Sequence, residues 1–108
     1  MNLYKDDTLI VSDIHIADSF IKRLRGYMFH REPQYNCIVL SPCNSIHTFF
    51  MKFDIDVLFL DDNMTVIKKI SALKKNRTIP PIKEVIYTVE APSGCFELVK
   101  IGDFIKMC

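Results

Sequence analysis

The residues able to do chemistry in this chain fall into a charged, partly internal group and a small thiol–imidazole group. Alternation along extended segments puts His47 on one side with Phe49 and Met51, Asp56 with Leu58 and Leu60, and Glu90 with Ile86 and Thr88. Arg23 stands at the border of an apolar helical stripe, and Arg31 follows it. A carboxylate on a core-facing side is costly unless paired, so Asp56 and Glu90 are expected to find Arg23, Arg31 or His47. The five residues read as a fold-locking network or as a pocket holding a small anionic ligand in arginine forks. The second group is Cys43 with His47, four positions apart, which could activate a thiolate with Asp56 as orienter, giving an enzyme as the alternative. On an extended strand that spacing spans ~13 Å, too far to share a metal. No C-x-x-C accompanies it, and neither a metal nor a cofactor is expected. Cys37 and Cys95 read as apolar core thiols, and Cys108 as exposed.

A third candidate is electrostatic. The segment 74–83 carries Lys74, Lys75, Arg77 and Lys83 with Pro80 and Pro81, a basic and proline-broken loop. It reads as a solvated loop, with an interaction surface for a protein or anion as the alternative. Nucleic-acid binding is not expected: no aromatics adjoin the loop in sequence, and 14 Lys and Arg face 13 Asp and Glu, a net charge of +1. Three glycines leave no room for a phosphate-cradling loop.

These residues must be positioned by a small framework. The 108 residues suit a single domain spanning 1–108, and 49% hydrophobic with 25% charged residues excludes a disordered or collagen-like chain. The first eight residues lack a basic stretch followed by an apolar one, and the run from Cys37 to Met51 is too short and polar to span a bilayer. The expectation is a cytoplasmic protein with reduced cysteines and no membrane association.

Alternation predicts strands at 9–16, 37–40, 46–52, 55–60, 64–70, 84–91 and 104–107. Asp18-Ser19 supplies an N-cap for an amphipathic helix through Phe20, Ile21, Leu24, Tyr27 and Met28. Asp61-Asp62-Asn63 suits a hairpin turn, and Ala91-Pro92-Ser93-Gly94 a type I turn. The resulting fold class is mainly β (α+β), a barrel-like or strongly curled sheet of about seven short strands with one or two short helices.

Three blocks resemble the domain-of-unknown-function family 192. The run Arg23 to Arg31 (R-L-R-G-Y-M-F-H-R) is similar to its Arg–Gly–Leu–Met–Arg signature, with Tyr27 in place of Leu. The run Ile46 to Asp61 resembles its central T-F-F-M and I-D-V-x-F-L-D block, and Glu90 to Gly94 with Gly102-Asp103 its closing pattern. The resemblance implies a compact, barrel-like β domain and no particular reaction. Many members of that family carry an export signal, a pattern not found in this sequence. Arg23, Arg31, His47, Asp56 and Glu90 all fall on motif positions.

Overall fold

A computed structural model describes residues 1–17, 19 and 35–108. The predicted helix, and Arg23 and Arg31 with it, lie outside the described residues. Within them the chain forms β1 (Leu3–Lys5), β2 (Thr8–Val11), β3 (His15–Ala17), β4 (Ile38–Leu40), β5 (Ile46–His47), β6 (Ile55–Leu60), β7 (Val66–Leu73), β8 (Thr78–Ile79), β9 (Tyr87–Pro92) and β10 (Ile105–Met107), with no helix.

The framework is a five-stranded sheet of order β3-β4-β9-β6-β7. Its β3–β4 pair is parallel and its other pairs antiparallel. All six residues of β6 are buried, as its unbroken apolar run requires of a central strand covered on both faces. One face (Val39, Leu58, Leu60, Val89, Ala91) packs against Leu3, Phe96, Val99 and Ile105. It thereby meets the small sheet β10-β1-β2. The other face (Ile38, Leu40, Ile55, Val57, Phe59) packs against Ile46, Met51 and Val85, beside the β5–β8 ribbon.

Where a barrel-like or strongly curled sheet is expected, the described residues form no closed barrel. Closure needs the edge strands of one sheet to pair with each other, but no pairing joins β3 to β7 among the described residues, and β1 pairs with β10 in a separate small sheet stacked on the large one. Several strands also differ in extent. Segment 9–16 divides into β2 and β3, because Asp13 takes a left-handed φ of 53° between them. Segment 46–52 is strand only at Ile46–His47, because Thr48 to Met51 reverses the chain through Phe50 at φ 64°. The strand expected from Glu84 begins at Tyr87, and Glu84 itself has φ 70°. Pro92 ends β9, and its carbonyl accepts the Cys95 amide at 3.2 Å, so the turn runs over 92–95, one residue later than expected, with Gly94 at φ 96°. The Asp61 turn is as expected: its Oδ1 accepts the Asn63 and Thr65 amides at 2.9 Å each.

Candidate functional site

Asp56 is 2% exposed and lies on the face of β6 turned toward Phe96 and the small sheet. Opposite it, β7 carries a bulge: Val57 pairs with Ile70 and Ile55 with Leu73, so two β7 residues face Asp56. One of them, Ala72, has φ 53°, and Asp56 Oδ1 accepts its amide at 2.8 Å. Asp56 Oδ2 accepts the Gly94 amide at 2.9 Å and the Phe96 amide at 3.5 Å. On the same face Lys69, paired with Leu58, donates from Nζ to the Phe96 and Val99 carbonyls at 2.6 and 2.8 Å. An anion from β6 and a cation from β7 thus hold the main chain of segment 93–99. Among the described residues the partners of Asp56 are backbone amides, which sequence spacing does not reveal, while Arg23 and Arg31, two of its expected partners, lie outside them.

Glu90 is 2% exposed on the opposite face, level with Val57 and Ile38. Its Oε2 is buried and has no hydrogen-bond partner among the described residues. Burial pushes its carboxyl up from 4.5 to about 8. Asp56 and Glu90, adjacent across the β6–β9 ladder, therefore point to different faces of the sheet.

Cys43 and His47 share no hydrogen bond among the described residues. Cys43 Sγ donates to the Ser45 carbonyl at 3.0 Å, while its own carbonyl accepts the Thr88 hydroxyl at 2.9 Å. The His47 ring stacks on Phe49, centroids 5.5 Å apart, and its buried Nδ1 has no hydrogen-bond partner among the described residues. All four cysteines are free; Cys37 is fully buried and Cys108 exposed. Among the described residues no three His, Cys, Asp or Glu side chains gather where a metal ion could be held.

A charged, solvent-facing concavity lies between loops 48–54 and 74–77. It encloses about 440 Å³ and is lined by Lys52, Asp54, Lys74, Lys75, Asn76 and Arg77, together with Phe53. Four cations face one carboxylate there, and Asp54 is paired with Lys74 at 2.5 Å. Buried Thr48 fastens the two loops. Its hydroxyl donates to the Lys74 carbonyl at 2.7 Å and accepts the Arg77 amide at 2.7 Å, while its own amide donates to the Arg77 carbonyl at 2.8 Å. The turn it begins carries Phe49 and Phe50, 43% and 58% exposed. The basic loop is legible in the sequence, but Thr48 and Lys52 as its neighbours are not. The only signal was that T-F-F exposes two aromatics after a polar residue within an apolar block.

The closing Gly102-Asp103 motif is a turn lock on the opposite side of the sequence. Gly102 has φ 95° and donates its amide to Val66 at 2.8 Å. Asp103 accepts the Lys100 amide at 2.7 Å and pairs with Lys5 at 2.9 Å, and these contacts hold its carboxyl below the ordinary range.

Among the described residues, a mixed five-stranded sheet, a stacked three-stranded sheet of terminal strands and a carboxylate-held β-bulge define a small, mainly β framework with a basic basin at one loop pair. The chain belongs to the DUF192 family (Uncharacterized ACR), whose profile matches residues 2–107. It is 42% identical over 101 residues to UPF0127 protein PH1112 of Pyrococcus horikoshii, covering 87% of this chain and 86% of that protein. It is 39% identical over 101 residues to UPF0127 protein PF1050 of Pyrococcus furiosus, covering 87% and 85%. A protein of unknown function from Novosphingobium aromaticivorans shares the fold at TM-score 0.82 and 14% identity, over 98% of this chain and 82% of that one. A second structure, described as a putative transcription regulator from Sinorhizobium meliloti, shares it at TM-score 0.73 and 17% identity, over 86% and 79%. At those identities the likeness concerns the fold alone. No helix among the described residues is long and apolar enough to cross a membrane.

Proposed function

We propose that this protein is a non-enzymatic binding module that recognises an anionic ligand in the basin between loops 48–54 and 74–77. The observation that carries the reading is charge segregation. A chain with a net charge of only +1 gathers Lys52, Lys74, Lys75 and Arg77 around one concavity with a single carboxylate, Asp54. Like charges so placed repel one another, and an anion bound among them removes that cost. The volume falls within the range of small-ligand sites, roughly 300–1,000 Å³. Thr48 fixes both walls, so little ordering is left for the ligand to impose. The test is a titration with inorganic tripolyphosphate followed by amide NMR. Shifts centred on residues 52 and 74–77, abolished by Lys75→Glu with Arg77→Glu, are expected; shifts elsewhere or none would reject the basin.

A second reading keeps the sequence-derived cluster of Arg23, Arg31, His47, Asp56 and Glu90 as a polar site. The buried, unpartnered Glu90 Oε2 favours it, with Arg23 or Arg31 as the expected counter-charge. Native mass spectrometry of protein purified from its own host tests it: an anion retained by wild type and lost in Arg23→Gln supports a site there, and a ligand-free mass opposes it.

A further inference from the structure

Resting on the basin as an anion site, we infer that its ligand combines a phosphate with a planar base, either a free nucleotide or the end of a single strand. The inference comes from what Thr48 brings together. In sequence Phe49 and Lys75 stand 26 positions apart, and nothing links aromatic to cation. In the fold, Thr48 is bonded to Lys74 and Arg77 on one side, and Lys52 lines the basin on the other. Phe49 and Phe50 are the two central residues of the turn between them, closed by the Met51 amide on the Thr48 carbonyl at 3.3 Å. Phe49 directly follows Thr48, which is bonded to Lys74 and Arg77, and Phe50 precedes Lys52 by two residues, about 7 Å along the backbone.

The two parts of such a ligand find different partners. Phosphate oxygens accept from Lys52, Lys75 and Arg77, because Lys74 is engaged by Asp54. The base stacks on Phe49, whose ring is braced by His47 at 5.5 Å and still leaves 43% of the residue to solvent. Asn76, held at φ 60° in the rim, offers an amide able to donate and accept at a base edge. Concavity favours this ligand over a flat anionic bilayer, since the cations surround about 440 Å³ of space instead of crowning a convex tip. Stacking with phosphate contact is indifferent to base identity, so weak sequence preference is expected.

The experiment compares four probes by fluorescence anisotropy or amide NMR on the full chain: inorganic tripolyphosphate, adenosine 5′-monophosphate, a ten-residue oligothymidylate and phosphatidylserine vesicles. The expected result is that a nucleotide-bearing probe binds roughly tenfold tighter than tripolyphosphate, that Phe49→Ala erases this advantage, and that Phe49→Trp restores it. For the strand, three phosphate contacts give a log–log salt slope of about −2. A preference for the strand over the mononucleotide identifies a strand end; equal affinity identifies a free nucleotide; both support the inference. Tripolyphosphate binding as tightly as the nucleotides overturns it and leaves the anion site standing. Vesicle binding without nucleotide binding overturns it in favour of a membrane surface. Silence from all four probes overturns both readings.

Discussion

Replacing Glu90 with Gln tests whether a protonated carboxyl sits inside the sheet. The folded group is raised to about 8 from an ordinary 4.5 by burial alone. The sign follows from which state holds the proton longer. Folded Glu90 keeps its proton to higher pH, so its favourable contribution is complete below about 4.5, shrinks as pH rises, and is gone above about 8. Within that window each pH unit is worth about 1.4 kcal/mol, or roughly 3 kcal/mol between pH 5 and 7.5. Gln has nearly the same shape and does not titrate, so other groups cancel in the difference between the two proteins. Urea unfolding of wild type and Glu90→Gln at half-unit steps should therefore show a gap that moves toward the variant with rising pH. A gap constant from pH 5 to 8 would refute the reasoning. It would mean that Glu90 is ionised in the fold beside a cation, as the cluster reading with Arg23 or Arg31 requires.

Three further outcomes follow from the geometry. Asp56→Ala strips three amides of their acceptor and should cost about 3 kcal/mol or more, roughly 15 °C in a thermal melt; a change under a few degrees would remove Asp56 from the framework. Thr48→Val should cost about 1–3 kcal/mol and speed hydrogen exchange at the Arg77 amide, which loses its acceptor; unchanged exchange there would show that the loops are held otherwise. Native alkylation read by intact mass should modify Cys108 first and Cys37 only on unfolding. Cys37 is sealed in the core, and burial, then Cys95 and Glu90, push its thiol up. Labelling of Cys37 at the rate of Cys108 would contradict its burial.

Much of the framework could be read from alternation, because strands covered on one or both faces leave a period-two or unbroken apolar pattern. Leu58 and Leu60 do share a face with Asp56, and Thr88 with Glu90. What alternation cannot show is whether a strand stays extended. Phe50 and Asp13 fold back at positive φ without glycine, and each shortened a strand that looked continuous. Nor does it show how sheets close. The β1–β10 pairing joins the two ends of the chain, and no local pattern announces it. For the polar residues, the pattern placed Asp56 and Glu90 internally but could not tell a side-chain partner from a backbone one, nor one sheet face from the other at adjacent rungs. The basin was hidden for a similar reason: the hydrogen bonds by which Thr48 holds segment 74–77 span 26 to 29 residues.

The grip on segment 93–99 has a consequence for how this domain can change. Asp56 and Lys69 read only peptide groups there, through amides at 94 and 96 and carbonyls at 96 and 99. A segment recognised by its main chain is indifferent to most of its outward side chains, so Ser93, Glu97 and Leu98, all exposed, form a stretch where new residues can be tried without disturbing the hold. The conformation at Gly94, the buried anchors Phe96 and Val99, and the partly buried Cys95 packed against the core are constrained. The clamp separates the shape of this loop from its surface chemistry, so its outward side chains can be exchanged while its path is kept.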